Sequence, residues 1–418
     1  MIDRRRFLLG AHGLFAATAP RAAFKSAERD RFGGWKLVKS PPTGFFRTGK
    51  AGSRWWLYTP DGNGFFSKGV CHVSFEGDYA PRLEYSPYRR SVEAKYGSRI
   101  KWARETAKRM RGWGLNTAGA WSDSELSKES IAYGPILDLA AKSVPDLWLR
   151  GAFPDVFDPE FETAVRREAD RVCRPLRNDP WVLGYFTDNE LRWGPDWRSK
   201  ESLLETFLLW PEYKPGRTRA EQFLRERGCD DKTPTPTHIA AFQELAAGAY
   251  FRICKEAIRR ADPNHLILGC RFAGVAPEPV VRGMKPYVDV VSFNTYEHDL
   301  PDGQLNRLAE LTGRPLLVTE FSFKAMDSGL PNSKGGGTPV ATQKDRADLY
   351  ERFVTNLAKL PYAVGYHWFE WCDEPKQGRF DGEDCNYGLV KVDDSAWTTL
   401  SERFRAVNPK LEAIHSAP

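Results

Sequence analysis

After residue 30 the chain alternates short apolar runs with longer stretches in which apolar residues recur at helical spacing. The runs are Gly64–Val73, opened by the turn Asp61-Gly62-Asn63, and Leu115–Trp121, after the amphipathic stretch Ile100–Trp113. A poorly delimited third lies in residues 135–153. Trp181–Thr187 follows the helical stretch Phe161–Leu176 through Asn178-Asp179-Pro180, and His265–Arg271, Val288–Asn294, Pro315–Phe321 and Val364–Trp371 complete the series. Continuous apolar runs suit strands buried on both faces, and the amphipathic stretches suit helices crossing over them. Eight strands in order, most followed by helical sequence, predict an α/β fold of the (β/α)8 TIM-barrel class. No GxGxxG or GxxxxGK[ST] pattern follows any run, which removes dinucleotide and P-loop readings.

Two segments fall outside a minimal barrel. Residues 26–60 read as a short N-terminal β-hairpin extension capping the barrel entrance, with Trp55-Trp56-Leu57-Tyr58 as its apolar part. Residues 191–236, rich in Trp, Pro and charge, form a long insertion between the fourth strand and the helical stretch Thr237–Arg260. An insertion after a strand emerges at the C-terminal face of a barrel, where active sites lie, so this one reads as a cleft wall. Residues 61–418 then constitute the barrel itself. Gly335-Gly336-Gly337 reads as a mobile loop.

Composition adds limits. With 418 residues, 41% apolar and 28% charged, and a mean hydropathy of −0.53, the chain can bury a large core and has no membrane-spanning composition. The net charge is +6, but residues 1–25 carry five Lys/Arg against Asp3 alone, so the body is nearly neutral. No basic stripe interleaved with aromatics is present, and a nucleic-acid partner is not expected. Asp3-Arg4-Arg5-Arg6-Phe7-Leu8-Leu9, followed by a weakly apolar stretch and small residues, resembles a twin-arginine export signal, which implies a periplasmic or secreted protein with no membrane association once residues 1–25 are removed. Seven cysteines, with no CxxC pair or Cys/His cluster, argue against a disulfide framework or a zinc site; Cys372 and Cys385 alone could pair across a loop. No metal or other cofactor is expected.

On a barrel, polar residues just past the strand ends face the open mouth. The fourth strand runs into Asp188-Asn189-Glu190 and the seventh into Thr319-Glu320. Two carboxyls across a barrel mouth, one protonated and one ionised, are what hydrolysis of a glycosidic bond requires. Asn189-Glu190 with Thr319-Glu320 is similar to the pattern of the large clan (clan A) of retaining glycoside hydrolases built on this barrel.

Within that clan, longer stretches resemble the β-agarase family, glycoside hydrolase family 50. They are Trp56-Leu57-Tyr58-Thr59-Pro60-Asp61-Gly62-Asn63-Gly64-Phe65-Phe66-Ser67-Lys68-Gly69-Val70, Gly184-Tyr185-Phe186-Thr187-Asp188-Asn189-Glu190-Leu191-Arg192-Trp193, and Gly365-Tyr366-His367-Trp368-Phe369-Glu370-Trp371-Cys372-Asp373-Glu374-Pro375. The resemblance covers roughly residues 50–400. It implies a β-linked galactan or related oligo- or polysaccharide as substrate, cleaved by double displacement. Glu190 would be the general acid, Glu320 the nucleophile, and Asn189 the partner of the sugar 2-hydroxyl. It further implies that Tyr296 orients the nucleophile and that Trp368 floors the subsite next to the bond cleaved.

Other strand-end residues are candidate sugar contacts: His72, Trp121, Asp155, Arg271 and Asn294. Trp193, Trp197 and Trp210 in the insertion either extend the sugar-binding surface or pack it down. Glu370, Asp373 and Glu374 lie at or beyond the eighth strand and read as hydroxyl partners or loop ties, and His367 as a wall residue. Two alternatives share these features: a β-galactosidase or β-glucanase of the same clan, and a non-catalytic carbohydrate-binding relative.

Overall fold

Eight parallel strands form the centre of the computed structural model, which describes residues 28–229 and 233–417. The segment read as an export signal, residues 1–25, lies outside the described residues. Ahead of the barrel come β1 (Trp35–Lys39), β2 (Arg47–Ala51), β3 (Arg54–Tyr58) and β4 (Asn63–Phe65), an antiparallel sheet in the order β1-β4-β3-β2. The barrel strands are β5 (Ser67–Val70), β6 (Thr117–Ala118), β7 (Ala132–Tyr133), β8 (Gly184–Asn189), β9 (Leu266–Ala273), β10 (Val291–Asn294), β11 (Leu316–Glu320) and β12 (Ala363–Trp368). They pair in the order β7-β6-β5-β12-β11-β10-β9-β8, and parallel bridges Tyr133↔Val182 and Ile136↔Phe186 join the two ends into a closed barrel.

Helices between the strands form where the sequence caps them. In Pro159–Leu176, Asp158 accepts from the Glu160 amide, Pro159 takes the first turn, and Phe161, Val165, Ala169 and Cys173 bury one stripe against the barrel. In Pro236–Ala261, Thr235 and His238 close a reciprocal cap. Inside the barrel the fit is tight: a Cβ on Gly69 would stand 2.3 Å from the His367 ring. His367 is fully buried, with Nε2 3.0 Å from the Ser67 hydroxyl, and burial pushes it down to about 3, so this wall residue is neutral.

Four sequence expectations change. The run Gly64–Val73 splits at Phe66 between the small sheet and the barrel. The third barrel strand is the two-residue β7, just ahead of residues 135–153, which instead hold loops and the single-turn helix Leu147–Arg150. The hairpin is a four-stranded sheet, and it covers the N-terminal end of the barrel rather than the mouth. Phe32 lies 4.5 Å from Trp181 and Phe45 5.0 Å from His265, centroid to centroid, both partners preceding strands, and the Trp55 amide donates to Pro361 O ahead of β12. Cys372 and Cys385 do not bridge: their Sγ atoms face different backbone carbonyls. Among the described residues no helix is long and apolar enough to cross a membrane.

Candidate active site

The C-terminal ends of β8, β9, β10 and β11 converge on one hydrogen-bonded group. Asn294, ending β10, donates its Nδ2 to Asn189 Oδ1 (3.1 Å) and to Glu190 Oε1 (3.0 Å), while its own Oδ1 accepts from the Thr319 hydroxyl (2.9 Å). Arg271, on β9, donates Nη1 to Asn189 Oδ1 (3.0 Å) and Nη2 to Thr319 O (2.6 Å), and that Nη2 also lies 2.9 Å from Glu320 Oε1. Tyr296, two residues past β10, donates its hydroxyl to the other oxygen, Glu320 Oε2 (2.8 Å). Six expected residues, Asn189, Glu190, Arg271, Asn294, Tyr296 and Glu320, are thus in one network.

Electrostatics within it follow from burial. Glu320 and Arg271 are both buried. Burial pushes the Glu320 carboxyl up to about 7, Arg271 pulls it down, Glu190 adds to the rise, and the Tyr296 hydroxyl favours the ionised form. Trp121 completes this side: the Arg271 guanidinium sits 4.5 Å above its ring, and the ring stands edge-on to Phe369.

His72, Trp121 and Glu190 follow β5, β6 and β8, and all three adopt left-handed backbone, with φ of 51°, 59° and 48°. Side chains other than Gly, Asn or Asp seldom do so, and such positions concentrate at functional sites. His72 turns toward the end of β12, where its Nδ1 contacts Glu370 Oε2 and lies 3.9 Å from Asp78 Oδ2. Burial lowers His72 and raises Glu370 well above the usual carboxylate range, with Asp78 adding to the rise and Arg379 opposing it. The ligand atoms of His72, Asp78 and Glu370 lie within 4.8 Å of one another, close enough to hold a cation.

Two expected residues stand elsewhere. Trp368 is fully buried and shares the outward side of β12 with Tyr366, where Phe321, Phe323, Tyr350 and Phe404 enclose its ring and its Nε1 donates to Tyr387 O (2.8 Å). It belongs to the layer between barrel and helices and cannot floor a sugar site. Asp155 accepts from the Gly216 amide (3.0 Å) and the Phe157 amide (3.2 Å), which fastens the insertion helix Pro215–Arg225. Asp373 ties down its loop through Asn386, Gly388 and Trp397. Glu374 accepts from the Cys385 amide.

The insertion tryptophans divide. Trp193 stacks on Phe251 and Trp210 packs on Phe207, whereas Trp197 is 62% exposed. The Gly335-Gly336-Gly337 run lies against the site rather than apart from it: a Cβ at Gly336 would come 2.8 Å from Tyr296 Cγ. Trp148, Arg198 and Asp78 were not expected. Trp148 donates its Nε1 to Glu190 Oε2 (3.0 Å). Its stretch, Leu147-Trp148-Leu149-Arg150, reads as apolar sequence inside the supposed third strand; Asp146 and Gly151 on either side were the available signals for a helical turn.

Known proteins sharpen this picture. The β-agarase B of Vibrio sp. (strain JT0107) is 29% identical over 95% of this chain and 51% of its own length. A crystal structure of an agarase superposes with a TM-score of 0.81 at 27% identity, covering 94% of this chain and 67% of the other. That of an exo-β-agarase superposes with a TM-score of 0.83 at 26% identity, covering 94% and 69%. The chain spans about half the length of the curated relatives it matches. No family model matches it.

Proposed function

We propose that this chain is a retaining β-glycoside hydrolase acting on an agarose-type galactan or its oligosaccharides. The observation that carries the reading is the network uniting Glu190 and Glu320 at one barrel mouth, in a chain similar to agarases over nearly its whole length.

The chemistry follows from which atoms are free. Asn189 spends its Oδ1 on Arg271 and Asn294, which leaves its Nδ2 to donate to a sugar 2-hydroxyl. Glu320 receives a guanidinium on one oxygen and a phenol on the other, which partly offset its burial and aim it as a nucleophile at the anomeric carbon. Glu190, on the opposite side of the network, gives its proton to the departing oxygen and then takes one from the water that releases the glycosyl intermediate. Trp121 offers a ring face for the sugar in place of Trp368.

Purified protein incubated with agarose, agaro-oligosaccharides, porphyran, aryl β-galactosides and β-glucans, with products separated by size, tests this. Hydrolysis of the agar-type substrates that Glu320→Ala loses supports it. Hydrolysis confined to unrelated β-glucans, or none at all, overturns it.

A further inference from the structure

Trp148 and Trp197 reach the rim of the site from two different loops, and both are coupled to Glu190. Trp148 lies on the single-turn helix Leu147–Arg150, bounded by Asp146 and Gly151, both in left-handed conformation. It donates to Glu190 Oε2, the oxygen that Asn294 does not hold. Trp197, from the insertion, meets the Trp148 ring edge-on at 6.5 Å between centroids.

Arg198 locks the two loops together. Its side chain is 5% exposed and paired with Asp196; Nη1 donates to Trp148 O (3.1 Å) and Nη2 to Glu190 O (2.9 Å). Its guanidinium also lies 4.3 Å from the Trp197 ring centroid. A buried cation bound to both backbones fixes where the indoles stand relative to the carboxyl. The clamp explains the position of Trp197 but not its exposure, since a large ring left 62% open has surface for a further contact.

We propose that Trp148 is a positioning residue for Glu190 and that Trp148 and Trp197 together form the wall that receives the leaving-group sugar. The inference rests on the hydrolase reading above. The acid gives its proton to the leaving oxygen, so an indole hydrogen-bonded to the acid stands on the leaving-group side. A pyranose departing from there meets Trp197 next. The Trp148 N–H, bonded to Glu190 Oε2, fixes where that carboxyl points in both steps. The other ionisable groups coupled to Glu190 are Cys270 and Arg271 on β9, Tyr296 after β10, Glu320 on β11 and Glu383 beyond β12. None of them belongs to the Trp148 or Trp197 loops.

The test uses Trp148→Phe and Trp197→Ala in the full chain. Each is assayed on the oligosaccharide that the wild type cleaves and on phenyl and dinitrophenyl glycosides of the same sugar. Trp197→Ala should raise KM for the oligosaccharide about tenfold, one aromatic contact's worth, and leave both aryl substrates within about twofold. Trp148→Phe should slow the oligosaccharide and the phenyl glycoside by about tenfold or more and spare formation of the intermediate from the dinitrophenyl glycoside, whose departure needs no proton. Equal losses on all substrates would reduce Trp148 to packing, and an unchanged oligosaccharide KM would remove Trp197 from the wall; either outcome overturns the proposal while an active wild type leaves the hydrolase reading standing. A wild type that cleaves no glycoside overturns both.

Discussion

Arg271 Nη2 lies 2.9 Å from Glu320 Oε1, two strands apart and with both side chains almost wholly buried. A buried charge is tolerated when its partner is held by further bonds, and Arg271 is held by Asn189, Thr319 and the Trp121 ring. Replacing it with Met removes the one cation in contact with the carboxylate. Turnover should fall by about 10²-fold or more. The acid limb of the pH profile should rise by roughly one unit or more, since an adjacent opposite charge is worth that much. Activity unchanged at every pH would show that Arg271 only fills space.

In the wild type, burial pushes Glu320 up to about 7 in the empty site. A raised carboxyl is protonated below that value, and a protonated nucleophile is inactive. kcat/KM should therefore lose about tenfold per pH unit below about 7 and level off above it. A profile flat down to pH 5 would contradict the assignment of Glu320 as the nucleophile.

Asn294 holds Asn189 and Glu190 with a single amide nitrogen. Asn189→Ala and Asn294→Ala should each lower kcat by about 10²-fold, and the double variant should lose much less than the product of the two, because they act through one network. Multiplicative losses would mean that the two amides work independently.

Trp368 and Trp121 separate packing from binding. Trp368→Ala should destabilise the fold by about 3–5 kcal/mol, as large buried aromatics do when truncated. Trp121→Ala should cost clearly less stability than Trp368→Ala and weaken substrate binding. The reverse pattern would restore Trp368 to the sugar site.

The barrel was legible because seven of its strands are apolar runs buried on both faces, and the proposed catalytic pair was picked out because both glutamates stand directly after such runs. The rest failed for local reasons. β7 has only Ile131-Ala132-Tyr133 before Gly134-Pro135, whereas the equally short β6 sits inside the longer apolar run Leu115–Trp121. β1 and β2 carry Lys, Arg and Thr on a half-exposed sheet, so only Trp55–Tyr58 showed as strand. Trp368 was read from its place at the strand end, yet with Tyr366 it occupies the side of β12 that faces the helices. Trp148 reaches Glu190 only through the loop geometry that Arg198 fixes, which no spacing along the chain reveals.

The central claim is that Glu320 bonds to the sugar. A 2-deoxy-2-fluoro-β-galactosyl fluoride slows release of the intermediate, and the mass of the labelled peptide identifies its attachment. The account predicts one glycosyl adduct, on the peptide carrying Glu320, that disappears in Glu320→Gln. An adduct on Glu190 or Glu370, or steady turnover in Glu320→Gln, would contradict it.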